Sequence, residues 1–140
     1  MKSIVVKQAA IVLQGGYSSY EALNRFVASF ARGEGYCSLF VERLQLATKE
    51  AFVNAVKHGN REEEMLTVSC SFTAVADSLL ASVRDCGKGF NPDALPDPVD
   101  PHNILRLSGR GILIIRSIAE IIALERERDG AVLRLRYRPF

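Results

Sequence analysis

The chain has no tryptophan and few cysteines, histidines or methionines, and these shortages exclude several kinds of protein. Its 140 residues contain three Cys, two His and two Met. Cys37, Cys70 and Cys86 lie far apart without Cys-x-x-Cys spacing, which argues against a disulfide framework and against a cysteine-based zinc site. We therefore expect a reducing compartment in which each cysteine is a small buried apolar side chain.

Extended apolar stretches and a strong net charge are also absent. No stretch approaches the roughly 20 apolar residues that span a bilayer, and the N-terminus has no signal-peptide core. The 18 basic and 16 acidic residues give a net charge of +2, whereas proteins that hold nucleic acid by bulk electrostatics carry a basic excess. Five arginines do cluster late in the chain, as is typical of the solvent-exposed face of a strand. They are Arg126, Arg128, Arg134, Arg136 and Arg138. We expect a cytoplasmic protein that binds neither membrane nor nucleic acid directly.

Length and hydrophobic pattern predict a single domain over residues 1–140. In chain order we expect a strand over 2–13, helices over 20–31 and 38–57, strands over 65–74 and 78–85, a helix over 111–119, and strands over 121–128 and 131–138. Ser18 or Ser19 is expected to cap the first helix. Successive hairpins make a mixed sheet mostly antiparallel and gather the helices on one face, so the fold class is α+β, a two-layer sandwich.

The helix over 38–57 carries three polar residues at four-residue steps. Glu50, Asn54 and His58 are therefore expected to share one face, beside Ala51 and Ala55, which are small enough to let a ligand approach. Polar residues on a helix usually face water, so the triplet by itself does not identify a site.

A second motif, residues 85–90 (DCGKGF), follows a predicted strand. Its two glycines, Gly87 and Gly89, let the backbone approach a ligand without interference from a Cβ atom. The Asp85 carboxylate can accept a hydrogen bond from an exocyclic amine such as that of adenine, whereas guanine presents an oxygen at that position. An ordinary Asp-x-Gly turn is the alternative.

A third motif, residues 108–115 (SGRGILII), places Gly109 and Gly111 at the start of an apolar helix. Free backbone N–H groups make a helix N-terminus an anion site, although a glycine-rich loop can also merely begin a core helix. A P-loop is excluded because residues 87–89 are not followed by Ser or Thr, and a dinucleotide fingerprint is excluded because Ile114 stands where its third glycine belongs.

Taken in order, the three motifs resemble the N, G1 and G2 boxes of the histidine-kinase-like ATPases, the superfamily that includes DNA gyrase and the sensor histidine kinases. Residues 54–59 (NAVKHG) and 109–112 (GRGI), with Arg116 and Ser117, are most similar to the anti-sigma serine kinases of bacterial partner-switching systems. The resemblance covers about residues 45–130. Because no phosphoacceptor helix precedes the motifs, we do not expect a complete sensor kinase.

The resemblance implies a role for each motif residue. Asn54 would hold a Mg²⁺ ion that bridges the nucleotide phosphates, and Glu50, one turn earlier, would be the general base. Asp85 would read adenine, Gly87 would let the backbone approach the nucleotide, and Gly89 would form the floor of the pocket.

The phosphate side of the implied site comes from the third motif. The backbone N–H groups of Gly109 and Gly111 would meet the phosphates. Arg106 and Arg110 would either neutralise phosphate charge or be solvated at the surface. The proline-rich segment 91–108 is expected to be a mobile lid that ATP orders, with a rigid surface loop as the alternative.

The implied function is that of an ATP-binding anti-sigma factor with Mg²⁺-dependent protein serine/threonine kinase activity. Its partners would be a sigma factor and an antagonist protein that it phosphorylates, and it would form a homodimer. The alternative is a nucleotide-dependent binding module that sequesters a sigma factor or another partner without kinase turnover.

Overall fold

The computed structural model describes residues 7–87, 109–127 and 129–140. The strands are β1 (Lys7–Gln14), β2 (Thr67–Val75), β3 (Ser78–Asp85), β4 (Glu120–Glu127) and β5 (Gly130–Tyr137), and the helices are α1 (Tyr20–Gly33), α2 (Ser38–Asn54) and α3 (Gly109–Ile118). A 3₁₀ turn (Gly16–Ser19) precedes α1, and a π-helical turn (Ala55–Gly59) follows α2. The segment 91–108, for which we expect a lid, lies outside the described residues.

The five strands form one sheet in the order β1-β2-β3-β5-β4, and each neighbouring pair is antiparallel. Side chains alternate across it: Val68, Cys70 and Phe72 of β2 are buried, whereas the hydroxyl residues between them are only partly covered. This period of two is the pattern of a sheet with one packed face. The expected antiparallel sheet is confirmed.

The helices cover the packed face. The ring centroid of Phe72 lies 5.9 Å from that of Phe30 in α1, and the ring centroid of Tyr137 in β5 lies 6.0 Å from that of Phe40 in α2. Helix α3 packs against α2. Helix α2 and the turn after it carry an apolar stripe at steps of three and four residues, and every member is buried: Phe40, Leu44, Ala47, Ala51 and Ala55. The two-layer α+β sandwich is thereby confirmed.

The opposite face of the sheet carries paired charges. Arg134 of β5 contacts Glu125 of β4 at 3.1 Å, and Arg136 contacts Glu120 at 2.8 Å. Exposed pairs of this kind contribute about 0–1 kcal/mol each. For Arg134 and Arg136, the interpretation of the arginine cluster as a strand surface is confirmed.

Two local expectations are wrong. Cys37 is exposed and Cys86 is only partly covered, so burial holds for Cys70 alone, whose thiol pKa burial raises to about 12. Cys37 immediately precedes α2 and lies outside the apolar stripe. It is therefore exposed although cysteine is usually a buried residue type. Ser19 makes no side-chain capping bond, since the hydroxyls of Ser18 and Ser19 donate instead to the carbonyls of Gly15 and Gln14.

Within the described ranges, no helix combines the length and the apolar character that crossing a membrane requires.

Candidate functional site

Asp85 is the last residue of β3 and is held between two strands. The alternation that buries Leu79, Ala81 and Val83 also turns Asp85 inward, where it is 7% exposed. The backbone N–H groups of Gly87 and of Ala131, on the neighbouring strand β5, both donate to its Oδ1 at 3.1 Å. The two backbone donors thus fix the carboxylate through one oxygen, and neither of them occupies Oδ2.

Three glycines surround this aspartate and are called here the glycine cradle: Gly59, Gly87 and Gly130. A Cβ atom on Gly59 would fall well under 3.0 Å from Asp85 Oδ2, and one on Gly130 equally close to the Asp85 carbonyl oxygen. A Cβ on Gly87 would collide in the same way with the carbonyl of Gly59. Real Cβ atoms essentially never make such contacts, so glycine is required at all three positions.

The surroundings of Asp85 act on its charge in opposite directions. Burial raises the pKa of the carboxyl above its ordinary value of 3.8, because a low-polarity environment disfavours the ionised form. The N–H groups of Gly87 and Ala131, and the charges of Arg126 and Arg84, oppose this shift without cancelling it. A buried carboxylate with its own dedicated donors and a displaced pKa is typical of a functional position.

Glu50 and Asn54 lie one turn apart on α2, as expected. Glu50 is partly covered, and Asn54, the last residue of the helix, is 8% exposed. Among the described residues the Asn54 Nδ2 finds no hydrogen-bond partner although it is buried. An unpaired buried amide donor costs about 1–3 kcal/mol, so an oxygen supplied by a ligand would stabilise this side chain.

His58 lies beyond the end of α2, in a short segment of different helical geometry. Residues 55–59 form a π-helical turn, closed by the Asn60 N–H on the Ala55 carbonyl at 2.8 Å. His58 is exposed, whereas Asn54 is buried and Glu50 is partly covered.

The surroundings of His58 also act on its charge. Partial burial, followed by the positive charge of Lys57, lowers the pKa of His58 below its ordinary value of 6.5. The lowered pKa favours the neutral form of the imidazole over the charged form.

Asn60 is a site residue that sequence reasoning missed. It is 3% exposed, its Nδ2 donates to the Thr67 carbonyl at 2.9 Å, and its Oδ1 accepts the Cys86 N–H at 2.8 Å. From the sequence it marks only the end of a helix. The contact partners lie on β2 and beyond β3, so no local pattern reveals them.

The glycine-rich motif forms the beginning of α3, as expected. Arg110 is exposed, Gly111 is buried, and Ile112 and Ile115 anchor the helix with fully buried side chains. Helix α3 packs against α2, the helix that carries Glu50 and Asn54. Gly89 and Arg106 lie outside the described residues.

The geometry therefore joins the second motif to the end of α2. Gly59, the last residue of the π turn, packs against the Asp85 side chain. The next residue, Asn60, accepts the Cys86 N–H through its Oδ1. Of the three glycines in the cradle, only Gly87 is a site residue expected from the sequence. Gly59 reads as a helix stop and Gly130 as part of a tight turn, and only the folded chain shows that both contact Asp85.

Comparison with known proteins finds similarity to serine-protein kinases and to one family model. The serine-protein kinase RsbW of Listeria monocytogenes is 24% identical over 125 residues, covering 84% of this chain and 80% of that protein. The serine-protein kinase RsbW of Bacillus subtilis is 28% identical over 109 residues, covering 74% of this chain and 68% of that protein. A family model described as the histidine kinase-like ATPase domain matches residues 17–137. The chain belongs to the histidine kinase-like ATPase domain family.

Proposed function

We propose that the chain binds ATP with Mg²⁺ and transfers the γ-phosphoryl group to a serine or threonine of an antagonist protein, as a cytoplasmic anti-sigma factor of the partner-switching type. The observation that carries the proposal is the buried Asp85, held through Oδ1 in its glycine cradle. Family membership supports ATP binding, and the two relatives named as serine-protein kinases support the reaction.

Asp85 supplies base recognition in this proposal. With the backbone donors on Oδ1, the carboxylate can accept the exocyclic amine of adenine through Oδ2. Hydrogen bonds to charged groups contribute about 1.5–3 kcal/mol. Guanine would place an oxygen against the same carboxylate and would be repelled, so adenine is the preferred base.

Asn54 supplies the contact with the metal and the phosphates. Its amide oxygen is a suitable ligand for Mg²⁺, a hard cation that binds few protein groups and completes its shell with phosphate and water. The unpaired Nδ2 is suited to a phosphate oxygen beside the metal. Mg²⁺ bound there would neutralise charge on the phosphates.

The beginning of α3 completes the phosphate side. The backbone N–H groups of Gly109 and Gly111 are among the first of the helix, where no helical carbonyl accepts them, so they are suited to an anion. Exposed Arg110 adds a positive charge nearby. In the same proposal, Arg106 would contact the phosphates and Gly89 would form the floor of the pocket.

Glu50 is the proposed general base. It lies one turn before Asn54 on the same side of α2, which would place it near the phosphates that Asn54 binds in this proposal. Phosphoryl transfer depends mainly on positioning and electrostatics, and orienting that hydroxyl is the task of the carboxylate.

The test is incubation of the purified chain with labelled Mg-ATP and a candidate antagonist protein. Label on a serine or threonine of the antagonist, located by mass spectrometry, supports the kinase. ATP-dependent retention of a sigma factor without transfer indicates the binding module instead. Absence of ATP binding by calorimetry contradicts both functions. Gel filtration tests the proposed homodimer in the same preparations.

A further inference from the structure

Asn60 connects the π turn, the start of β2 and the end of β3. Its backbone N–H closes the π turn on Ala55, its Nδ2 holds the Thr67 carbonyl at the start of β2, and its Oδ1 holds the Cys86 N–H just after β3. The three distances, 2.8, 2.9 and 2.8 Å, are those of well-formed bonds. The amide is thus paired on both its oxygen and its nitrogen in a residue that is almost fully buried.

The bond to Cys86 acts directly on Asp85. The Cys86 N–H and the Asp85 carbonyl belong to one planar peptide group, so holding the N–H fixes the orientation of the whole plane. On its other side the Asp85 carbonyl packs so closely against Gly130 that a Cβ atom there does not fit. The plane is therefore held from both ends, by Asn60 and by Gly130.

The same bond also joins the segment that carries Gly59 to the end of β3. Gly59, next to Asn60 in the chain, packs on Asp85 Oδ2, while the N–H groups of Gly87 and Ala131 hold Oδ1. Because Asn60 ties its own segment to the end of β3, it keeps Gly59 against the carboxylate. Without it, the carboxylate would keep its two backbone donors on Oδ1 but would lose the close packing of Gly59 against Oδ2.

We propose that Asn60 is a positioning residue that sets the preference of the site for a base with an exocyclic amine, through the orientation of Asp85. The inference rests on the proposed ATP binding. It adds a residue from outside the three motifs to the determinants of base recognition, and it assigns that residue an indirect role.

A ratio of two affinities separates this role from a general loss of stability. ATP and ITP differ at the exocyclic position, where adenine has an amine and hypoxanthine an oxygen, so the ratio of their Kd values reports the bond to Asp85. A variant that merely unfolds more often lowers both apparent affinities by the same factor and leaves the ratio unchanged.

The experiment measures Mg-ATP and Mg-ITP binding by calorimetry in the wild type and in Asn60→Ala. The wild type should prefer ATP by about tenfold or more, and Asn60→Ala should lose most of that preference. Asn60→Asp keeps an acceptor for the Cys86 N–H and should retain a ratio within about threefold of the wild type. If Asn60→Ala keeps the wild-type ratio of the two Kd values, the proposal is overturned. It is also overturned if Asn60→Ala and Asn60→Asp lose the preference for ATP equally.

The matched control is Phe72→Leu, which weakens the core beside α1 at a distance from Asp85 along β2. It should lower the melting temperature and leave the ratio unchanged. If Asn60→Ala does not fold, Asn60→Ser is measured at low temperature, and an unchanged ratio there also overturns the proposal.

Failure of this inference differs from failure of the proposed function. A wild type that binds no ATP removes the function itself. A wild type that prefers ATP, with the preference lost in Asp85→Asn but kept in Asn60→Ala, leaves base recognition intact and removes only the role of Asn60.

Discussion

At the scale of single residues, the site contains two polar groups that the protein buries without fully satisfying. Burial keeps the pKa of the Asp85 carboxyl raised despite its two backbone donors, and the Asn54 amide has a buried donor unpaired within the described chain. Both carry a free-energy cost that a polar ligand would remove.

The titration of Asp85 makes one prediction. Only the ionised carboxylate attracts an exocyclic amine strongly, so the ATP affinity should fall as the pH drops through the raised pKa, with a midpoint above 3.8. Stability should move in the opposite sense: a raised native pKa means that the folded state binds the proton more tightly, so the Asp85 contribution increases on acidification.

The measurement compares the wild type with Asp85→Asn from about pH 7 to about pH 4.5, by calorimetry for ATP and by urea unfolding for stability. The difference between the two proteins isolates Asp85 from the other carboxyl groups. Identical pH profiles of ATP affinity would show that Asp85 does not read the base.

Substitution of Glu50 and of Asn54 should affect different steps, phosphoryl transfer in one case and ATP binding in the other. Glu50→Ala should reduce phosphoryl transfer about 10²–10⁴-fold and leave the Kd for Mg-ATP nearly unchanged, because a general base acts on the acceptor hydroxyl. Asn54→Ala should weaken the Mg²⁺-dependent part of ATP binding itself. Full transfer activity in Glu50→Ala would mean that another group is the base.

His58→Ala is the control for both variants, since His58 lies in the next turn and is exposed. It should change neither the transfer rate nor the Kd by more than about twofold.

At the scale of elements, the site forms where the turn after α2 meets the end of β3. This contact depends on the glycine cradle. Gly59→Ala places a methyl group against Asp85 Oδ2, so either the carboxylate moves or the π turn does. We expect a loss of about 1–3 kcal/mol in unfolding free energy. We also expect a weaker affinity for ATP, because Asp85 Oδ2, the proposed acceptor of the adenine amine, is displaced.

Gly33→Ala is the matched substitution at an open position. Gly33 lies in the last turn of α1 with no heavy atom within 4 Å of the added Cβ, so alanine should raise helix stability by about 0.5–1 kcal/mol. Calorimetry and urea unfolding of both variants check the pair. If Gly59→Ala binds ATP as tightly as the wild type, the glycine cradle does not position Asp85 for ATP binding.

The sequence predicts the elements well and their contacts poorly. The period of the apolar residues places α2 and β3 to within a few residues, since periodicity is a local property. The π turn is missed, because nothing in residues 55–59 departs from an α-helical pattern. The cradle and Asn60 are missed for a different reason: Gly130 and Asp85 are far apart in the chain, and only the β3–β5 pairing brings them together.

At the scale of the whole molecule, the site joins parts from both layers of the sandwich. The described part of the candidate site draws on α2, the π turn, β3, β5 and the beginning of α3, so a ligand held there would stabilise contacts across the layers. A ligand that binds the folded state and not the unfolded chain adds RT ln(1 + [L]/Kd), about 2.7 kcal/mol at 100 times Kd. For a domain of this size that corresponds to a rise in Tm of roughly 5–10 °C.

This thermal shift is the last prediction. Mg-ATP should raise the Tm by that amount, and GTP at the same concentration should raise it far less, because guanine places an oxygen against Asp85. Removal of Mg²⁺ by EDTA should reduce the ATP effect, and in Asn54→Ala the addition of EDTA should make little further difference, since the proposed metal contact is already lost. Differential scanning calorimetry of both proteins with each nucleotide, with and without EDTA, gives the comparison. Equal shifts from ATP and GTP would contradict recognition at Asp85, whereas an ATP shift that EDTA leaves unchanged would contradict the metal role of Asn54 alone.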